Sequence, residues 1–297
     1  MAGALFQHTL AVPAVCSGVG VHTGERTRLT IRQAAPNTGV VFLRTDVVDC
    51  DNRVPARADA VVQTRLGTVI ANAAGVTVST IEHLMSAFVM AGVDNAVAEL
   101  DGPEVPIMDG SSAPFLKLID RAGLRPQGAA RRYIEIVETV EVVDDGKRAA
   151  LVPAETFGVD FEIAFDSAAI GRQRVVFDLD EATYRREIAS ARTFGFVEEV
   201  EALRRAGLAR GGSLENVVVV DGDRVLNPEG LRFVDEFVRH KALDAVGDLY
   251  VLGAPVIGRF EGRYAGHGLN NALVRALVAR PDAWRWRVPA EAMAQAV

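Results

Sequence analysis

The pattern of the chain predicts an α+β protein of two similar domains, each a sheet layered against helices. Three observations carry this. At 297 residues the chain is as long as about two ordinary domains of roughly 150 residues. Both halves run through short alternating segments and then close on helix, strand, helix. Between them, RPQGAARR (125–132) combines Pro, Gly and Arg without a large apolar residue, the composition of a connector. The expected division is therefore 1–126 and 127–297, although no residue-level repeat accompanies the shared order.

In the first half, TRLTIR (27–32) and GVVFLRTD (39–46) alternate in short steps around the turn cluster Pro36-Asn37-Thr38-Gly39, which predicts antiparallel strands. Residues 66–81 are free of charge, yet Asn72, Thr77, Ser79, Thr80 and two glycines interrupt them, so they read as strand and turn. At STIEHLMSAFVMAG (79–92) the period changes: Ile81, Leu84, Met85, Phe88 and Val89 share a helical face and Gly92 falls at the C-cap. NAVAEL (95–100) reads as a strand. A helix follows through APFLKLIDRAG, with Ser112 as its expected cap and Pro114 in its first turn. In the second half, YIEIVETVEVV (133–143) and FGVDFEIAF (157–165) are strand-like, as are residues onward to Asp178. A helix is expected near 181–188 and another across 234–250. PVIGRFEG (255–262) reads as a strand, and NNALVRALVA (270–279) as a helix stopped by Pro281.

Hydrophobic residues make up 49% and charged residues 24%, the ordinary globular mixture, which excludes disorder as the main state. A net charge of −7 argues against non-specific nucleic-acid binding and leaves small anionic ligands to local basic patches. Cys16 and Cys50 are too few for a disulfide scaffold, which fits a reducing compartment. Residues 1–24 carry no Lys, Arg, Asp or Glu, but a basic n-region is missing and Gln7, His8, Thr9 and Pro13 break any apolar core, as expected of a mature N-terminus. No stretch nears the ~20 apolar residues of a spanning helix. The expectation is a soluble cytoplasmic protein.

Of five histidines, His240 sits on the polar side of the 234–250 helix with Asp244 and Asp248, opposite Val238, Ala242, Ala245 and Leu249. His240 and Asp244 are one turn apart and can share a metal. The same spacing also suits a solvated ion pair. Glu82-His83 opens the other polar-faced helix and offers a base beside a ligand. Yet Ser79-Thr80-Ile81-Glu82 also matches a capping box, with Glu82 reaching back to the cap amide. Adding His83 to His240 and Asp244 makes two nitrogens and one oxygen, the open set of a catalytic zinc. His267 is bracketed by glycines that allow close backbone approach to a ligand, although a loop histidine with one surface hydrogen bond also fits. Lys241 suits phosphate, or solubility alone. Thr193 and Phe194, in ARTFGF (191–196), fall in an expected loop where they touch a ligand or simply pack. Walker A, Gly-x-Gly-x-x-Gly, Cys-x-x-Cys and Gly-x-Ser-x-Gly signatures are all missing.

Taken together, SGVGVHTGE (17–25), TIEHLMSAF (80–88), PEVPIMDGSSAPF (103–115), ARTFGF (191–196), FVRHKALDAVGDLY (237–250) and GHGLNNAL (266–273) resemble one family, in order and across nearly the whole chain. It is the family of zinc-dependent UDP-3-O-acyl-N-acetylglucosamine deacetylases of lipid A biosynthesis. The resemblance implies two α+β domains packed helix face to helix face around the active site. It implies one catalytic Zn²⁺ on His83, His240 and Asp244, with Glu82 as general base. His267 matches the cationic acid or electrostatic stabiliser, Asp248 its orienting partner, Thr193 an oxyanion stabiliser, and Lys241 with Phe194 a substrate contact. A second-domain insertion, placed around 193–214, would form an acyl passage with Val197, Val200 and Leu214 as lining candidates. Phe165 is a further substrate candidate, though Phe165-Asp166-Ser167-Ala168-Ala169-Ile170 departs from the His-Pro that family members tend to carry there.

The implied reaction converts UDP-3-O-[(3R)-3-hydroxyacyl]-N-acetylglucosamine to the UDP-3-O-acyl-glucosamine and acetate, the committed step of the pathway. The alternatives are a zinc amidohydrolase acting on another N-acyl sugar and a non-catalytic nucleotide-sugar binding protein. The implied location is the cytoplasm of a Gram-negative type bacterium. A peripheral association with the inner membrane has no amphipathic basic helix to support it. The C-terminal AEAMAQAV ends in small apolar residues, which suits recognition by a regulatory protease or a frayed terminus.

Overall fold

The computed structural model describes residues 4–294. Its helices, in chain order, are α1 (Glu82–Ala91), α2 (Ala113–Ala122), α3 (Glu181–Glu187), α4 (Val197–Arg205), α5 (Glu236–Leu249), α6 (His267–Val278) and α7 (Ala290–Ala294). One five-stranded sheet has the spatial order Ala14–Val19, Arg26–Gln33, Ala96–Leu100, Val40–Arg44, Arg53–Pro55. A second five-stranded sheet has the order Val140–Asp144, Lys147–Val152, Arg259–Arg263, Gly158–Ala164, Arg172–Asp178. The two orders are the same. In each sheet the last strand of the sequence enters the centre, antiparallel to the second strand and parallel to the third. A parallel pair needs a crossover; α1 lies within the first and α5 within the second, while α2 and α6 follow the central strands. The repeat that residue identities did not show is present in topology.

The units meet where α1 packs on α5. α1 is buried on nearly every side, Glu82 and His83 included, because α5 covers one side and α2 packs against it as well. Gly247 permits the close crossing: a Cβ there would collide with the backbone carbonyl of Glu82. The polar side of α5 is accordingly an interior surface, and the solvated ion-pair alternative for His240 and Asp244 does not hold. Among the described residues, no helix is long and apolar enough to cross a membrane.

Several local expectations change. Residues 125–130 belong to a strand rather than a free connector: Leu124–Ala130 pairs antiparallel with Phe6–Leu10, and the Gln127 amide donates to the Ala34 carbonyl. Segment 133–143 splits into Tyr133–Ile136 and Val140–Asp144, and 255–262 splits at Gly258, whose φ is +155°. Ser112 does not cap α2; its hydroxyl meets the Tyr184 hydroxyl at 2.7 Å instead. Pro114 and the left-handed Gly92 stand at the helix ends as expected. The C-terminal AEAMAQAV segment begins with α7, and residues 295–297 lie outside the described residues.

Candidate metal centre and active site

α5 carries four site residues on one side because one turn separates His240 from Asp244 and Asp244 from Asp248, with Lys241 alongside. The start of α1 brings Glu82 and His83 up to it across the interface. Here the capping box is overturned. Thr80 is left-handed at φ +57° and donates its hydroxyl to Glu104 Oε1 at 2.9 Å. Glu82 turns away from the cap position and accepts the Thr68 N–H on Oε2 at 3.0 Å. His267, expected in a loop, is the first residue of α6.

Asp244 Oδ1 lies 3.3 Å from His240 Nε2 and 3.5 Å from His83 Nε2. The donor atoms of His83, His240 and Asp244 all fall within 4.8 Å of one another, and all three residues are buried. Asp244 Oδ1 has no hydrogen-bond partner, a costly state for a buried carboxylate oxygen. The Ala191 carbonyl, 3.0 Å from His240 Nδ1, accepts a hydrogen bond from the Nδ1–H and leaves the Nε2 lone pair directed at Asp244. Burial drives the His240 imidazolium down to about 3, against the pull of Asp244, so the ring is a neutral donor at any working pH. Burial also disfavours the Asp244 charge, but the positive charges on Lys241 and His267 hold its carboxyl well below the usual range. Two imidazole nitrogens and one carboxylate oxygen, brought within 4.8 Å of one another, fit a divalent cation with positions left open.

Around this set stand two further groups. Burial raises the Glu82 carboxyl above its ordinary value, with His267 and His83 opposing. His267 Nδ1 donates to Asp248 Oδ2 at 2.9 Å, while its Nε2 lies 3.7 Å from Asp244 Oδ2. Burial alone would lower the His267 imidazolium, but Asp248 and Asp244 outweigh it and lift it to about 9. Lys241 Nζ donates to Asp244 Oδ2 at 3.1 Å, an ion-pair role the helix pattern did not indicate.

The remaining candidates lie farther out. Thr193 is held by its backbone, donating to Gly110 and accepting from Val218 at 2.8 Å each. Phe194 opens the strand Phe194–Phe196 rather than a loop, packs edge-on against Phe237 at 5.0 Å and sits 6.3 Å from the His240 ring. Phe165 joins that cluster, 5.8 Å from Phe194 and 5.7 Å from Phe196. Strands Phe194–Phe196 and Val218–Asp221 run parallel with α4 between them, so the 193–214 segment is a small crossover unit. Its Val197 and Leu214 are each 40% exposed and Val200 is half-buried, outside the buried ligand cluster.

Four residues had no distinguishing signal in the sequence. Thr68 lies in the charge-free stretch read as strand and turn, and Asn270 was expected only to start a helix; both bond Asp248. Arg192 and Glu236 are an interior pair, 1% and 0% exposed. Glu236 Oε1 accepts both the backbone N–H and the Nε–H of Arg192 at 2.9 Å. That pair fastens residue 192 to the start of α5, which places the neighbouring Ala191 carbonyl on His240. Such contacts join segments 44 residues apart and carry no local spacing.

What this arrangement can do is split a bond with water: three donors leave a cation with open positions, and a separate carboxylate stands ready to take a proton. The fold and donor set define a metallohydrolase. The chain belongs to the UDP-3-O-acyl N-acetylglycosamine deacetylase (LpxC) family, whose model matches residues 7–279. It is similar to a UDP-3-O-acyl-N-acetylglucosamine deacetylase of Phenylobacterium zucineum (strain HLK1), 68% identical over 293 residues, covering 99% of this chain and all of that one. Proteins of the same name from Acidithiobacillus ferrooxidans (strain ATCC 53993 / BNL-5-31) and Shewanella frigidimarina (strain NCIMB 400) are 50% and 49% identical, each covering 94% of this chain and 92% of its own length.

Proposed function

We propose that the chain hydrolyses the acetamide of UDP-3-O-[(3R)-3-hydroxyacyl]-N-acetylglucosamine, releasing acetate and UDP-3-O-acyl-glucosamine, with one Zn²⁺ held by His83, His240 and Asp244. The observation that carries this reading is the orphaned Asp244 Oδ1 facing two imidazole nitrogens beside Glu82, in a chain of this family. A bound Zn²⁺ supplies a more acidic water and polarises the amide carbonyl.

The protein's own groups do the rest. Glu82 takes a proton from water as the water oxygen bonds to the acetamide carbon. Negative charge gathers on the carbonyl oxygen, where the His267 imidazolium and the Thr193 hydroxyl provide stabilisation already in place. The carbon–nitrogen bond then breaks as nitrogen receives a proton, from His267 or from the protonated Glu82, and acetate leaves. Asp248 orients His267 through Nδ1. Lys241, Phe194 and Phe165 contact the substrate, and Val197, Val200 and Leu214 line the acyl passage. The same reading divides the chain at 126 and 127 and places it in the cytoplasm. A regulatory protease at the C-terminal tail stands as a part of it resting on the small apolar residues of that tail alone, and a peripheral inner-membrane contact as a part with no amphipathic basic helix behind it.

The test is acetate release from that substrate by protein stripped with chelator and by protein restored with zinc. Activity should vanish with the metal and return with about one equivalent; restored protein without turnover would remove this substrate. The pH dependence of kcat/KM should be bell-shaped. Its acid limb, from ionisation of Glu82, lies above the ordinary carboxylate value of 4.5 in the metal-free site. The alkaline limb, from loss of the His267 proton, lies at or below about 9. A bound dication adds positive charge beside both groups and moves both limbs down. A flat profile between pH 5 and 10 would contradict the paired roles.

A further inference from the structure

Thr68 makes two hydrogen bonds that nothing in the reaction as described requires. Its N–H donates to Glu82 Oε2 at 3.0 Å, and its hydroxyl donates to Asp248 Oδ1 at 2.6 Å. The residue is 2% exposed. Glu82 opens α1 in the first half of the chain, whereas Asp248 lies on α5 in the second. The turn is shaped for this double contact: Gly67 has φ +152°, and a Cβ there would press to 3.0 Å of Glu82 Oε1.

The other oxygen of Asp248 is already occupied. Oδ2 accepts from His267 Nδ1 and from Asn270 Nδ2, both at 2.9 Å, while Oδ1 is met by Thr68. Without that hydroxyl, a carboxylate oxygen in a residue only 4% exposed loses its donor. The carboxylate must then rotate toward another donor or admit water, and rotation moves Oδ2 away from His267.

We propose that Thr68 is a positioning residue that sets the register between the proton acceptor Glu82 and the imidazolium His267 by bonding Glu82 directly and His267 through Asp248. The inference rests on the deacetylase reading for its kinetic consequence, but the geometry stands apart from it. Thr68 ties the two halves of the active site to each other by one side chain and its own amide. A threonine suits the place because valine has nearly the same shape and lacks the donor, whereas serine keeps the donor.

The experiment compares the zinc-loaded full chain with Thr68→Val, Thr68→Ser, Asp248→Ala and the Thr68→Val/Asp248→Ala double variant. We measure kcat, KM, bound zinc, the thermal midpoint and the NMR resonance of the His267 Nδ1 proton. Thr68→Val should lower kcat by about tenfold to a hundredfold, the scale of one hydrogen bond to a charged group, with KM and bound zinc unchanged. It should also shift the His267 Nδ1 proton, and Thr68→Ser should recover most of both. In the Asp248→Ala background Thr68→Val should cost nothing further, because the two act in one chain of contacts. Wild-type kcat in Thr68→Val, full additivity in the double variant, or equal damage from Val and Ser with loss of zinc or thermal stability would each overturn the proposal. Wild-type protein that releases no acetate yet shows the Val-specific resonance shift would reject the deacetylase reading and keep the positioning role.

Discussion

Glu82→Gln should retain its full complement of metal and lose turnover by a factor of about 10² to 10⁴, the range a positioned general base contributes. The amide keeps the carboxylate's shape and an oxygen that still accepts the Thr68 N–H, so the interface of α1 with α5 has no reason to move. What it lacks is a site for the proton of the attacking water. The position is buried, and burial raises the carboxyl toward the neutral form; the uncharged variant therefore folds without the desolvation that the native carboxylate bears. Metal content and kcat measured on the same preparation check this. Metal loss as large as the activity loss would make Glu82 a support for the ligands and not a base.

Asp244→Ala should do the opposite and lose the metal first. Asp244 supplies the one anionic donor of the set, with His240 Nε2 at 3.3 Å and His83 Nε2 at 3.5 Å. Its other oxygen neutralises Lys241 and lies 3.7 Å from His267. Truncation removes a ligand and leaves two cations facing the position where a third positive charge must bind. Loss of an outer-sphere partner already costs about tenfold to a hundredfold in metal affinity, so the fall in zinc affinity should exceed a hundredfold. Titration with zinc and a competing chelator measures it. Affinity within threefold of wild type would remove Asp244 from the ligand set.

Much of the fold was legible because its signals are local. The alternation in 27–32 and 39–46, the change of period at 79–92, Gly92 after the helix and Pro114 within its first turn each state a backbone preference that neighbours a few residues away complete. The shared closing order of the two halves likewise indicated two units of one plan. The errors fell where a distant partner outweighed the local preference. Ser79 to Glu82 has the residues of a capping box, but Glu104 takes the Thr80 hydroxyl and the Thr68 amide takes Glu82. RPQGAARR has the composition of a loop, but an unpaired strand at residues 6–10 recruits it. The polar side of α5 has the pattern of a solvated surface, and the crossing with α1, together with α6 and the Ala191 carbonyl, turns it inward.

The same division holds for the site. One-turn spacing on α5 and the adjacency of Glu82 and His83 were enough to name the ligand candidates by themselves, since a helix converts sequence spacing directly into distance. The sequence thus determined the two repeated layers, the helices that carry the chemistry and the residue types able to do it. Tertiary structure decided whether those residues are solvated ions or a dry donor set, because desolvation depends on what covers α5 and not on α5 itself. It also decided the protonation order, with His240 neutral and His267 charged, through the different partners each ring meets. Thr68, Asn270, Arg192 and Glu236 became visible only there, since a hydrogen bond between segments far apart in the chain leaves no periodic trace along it.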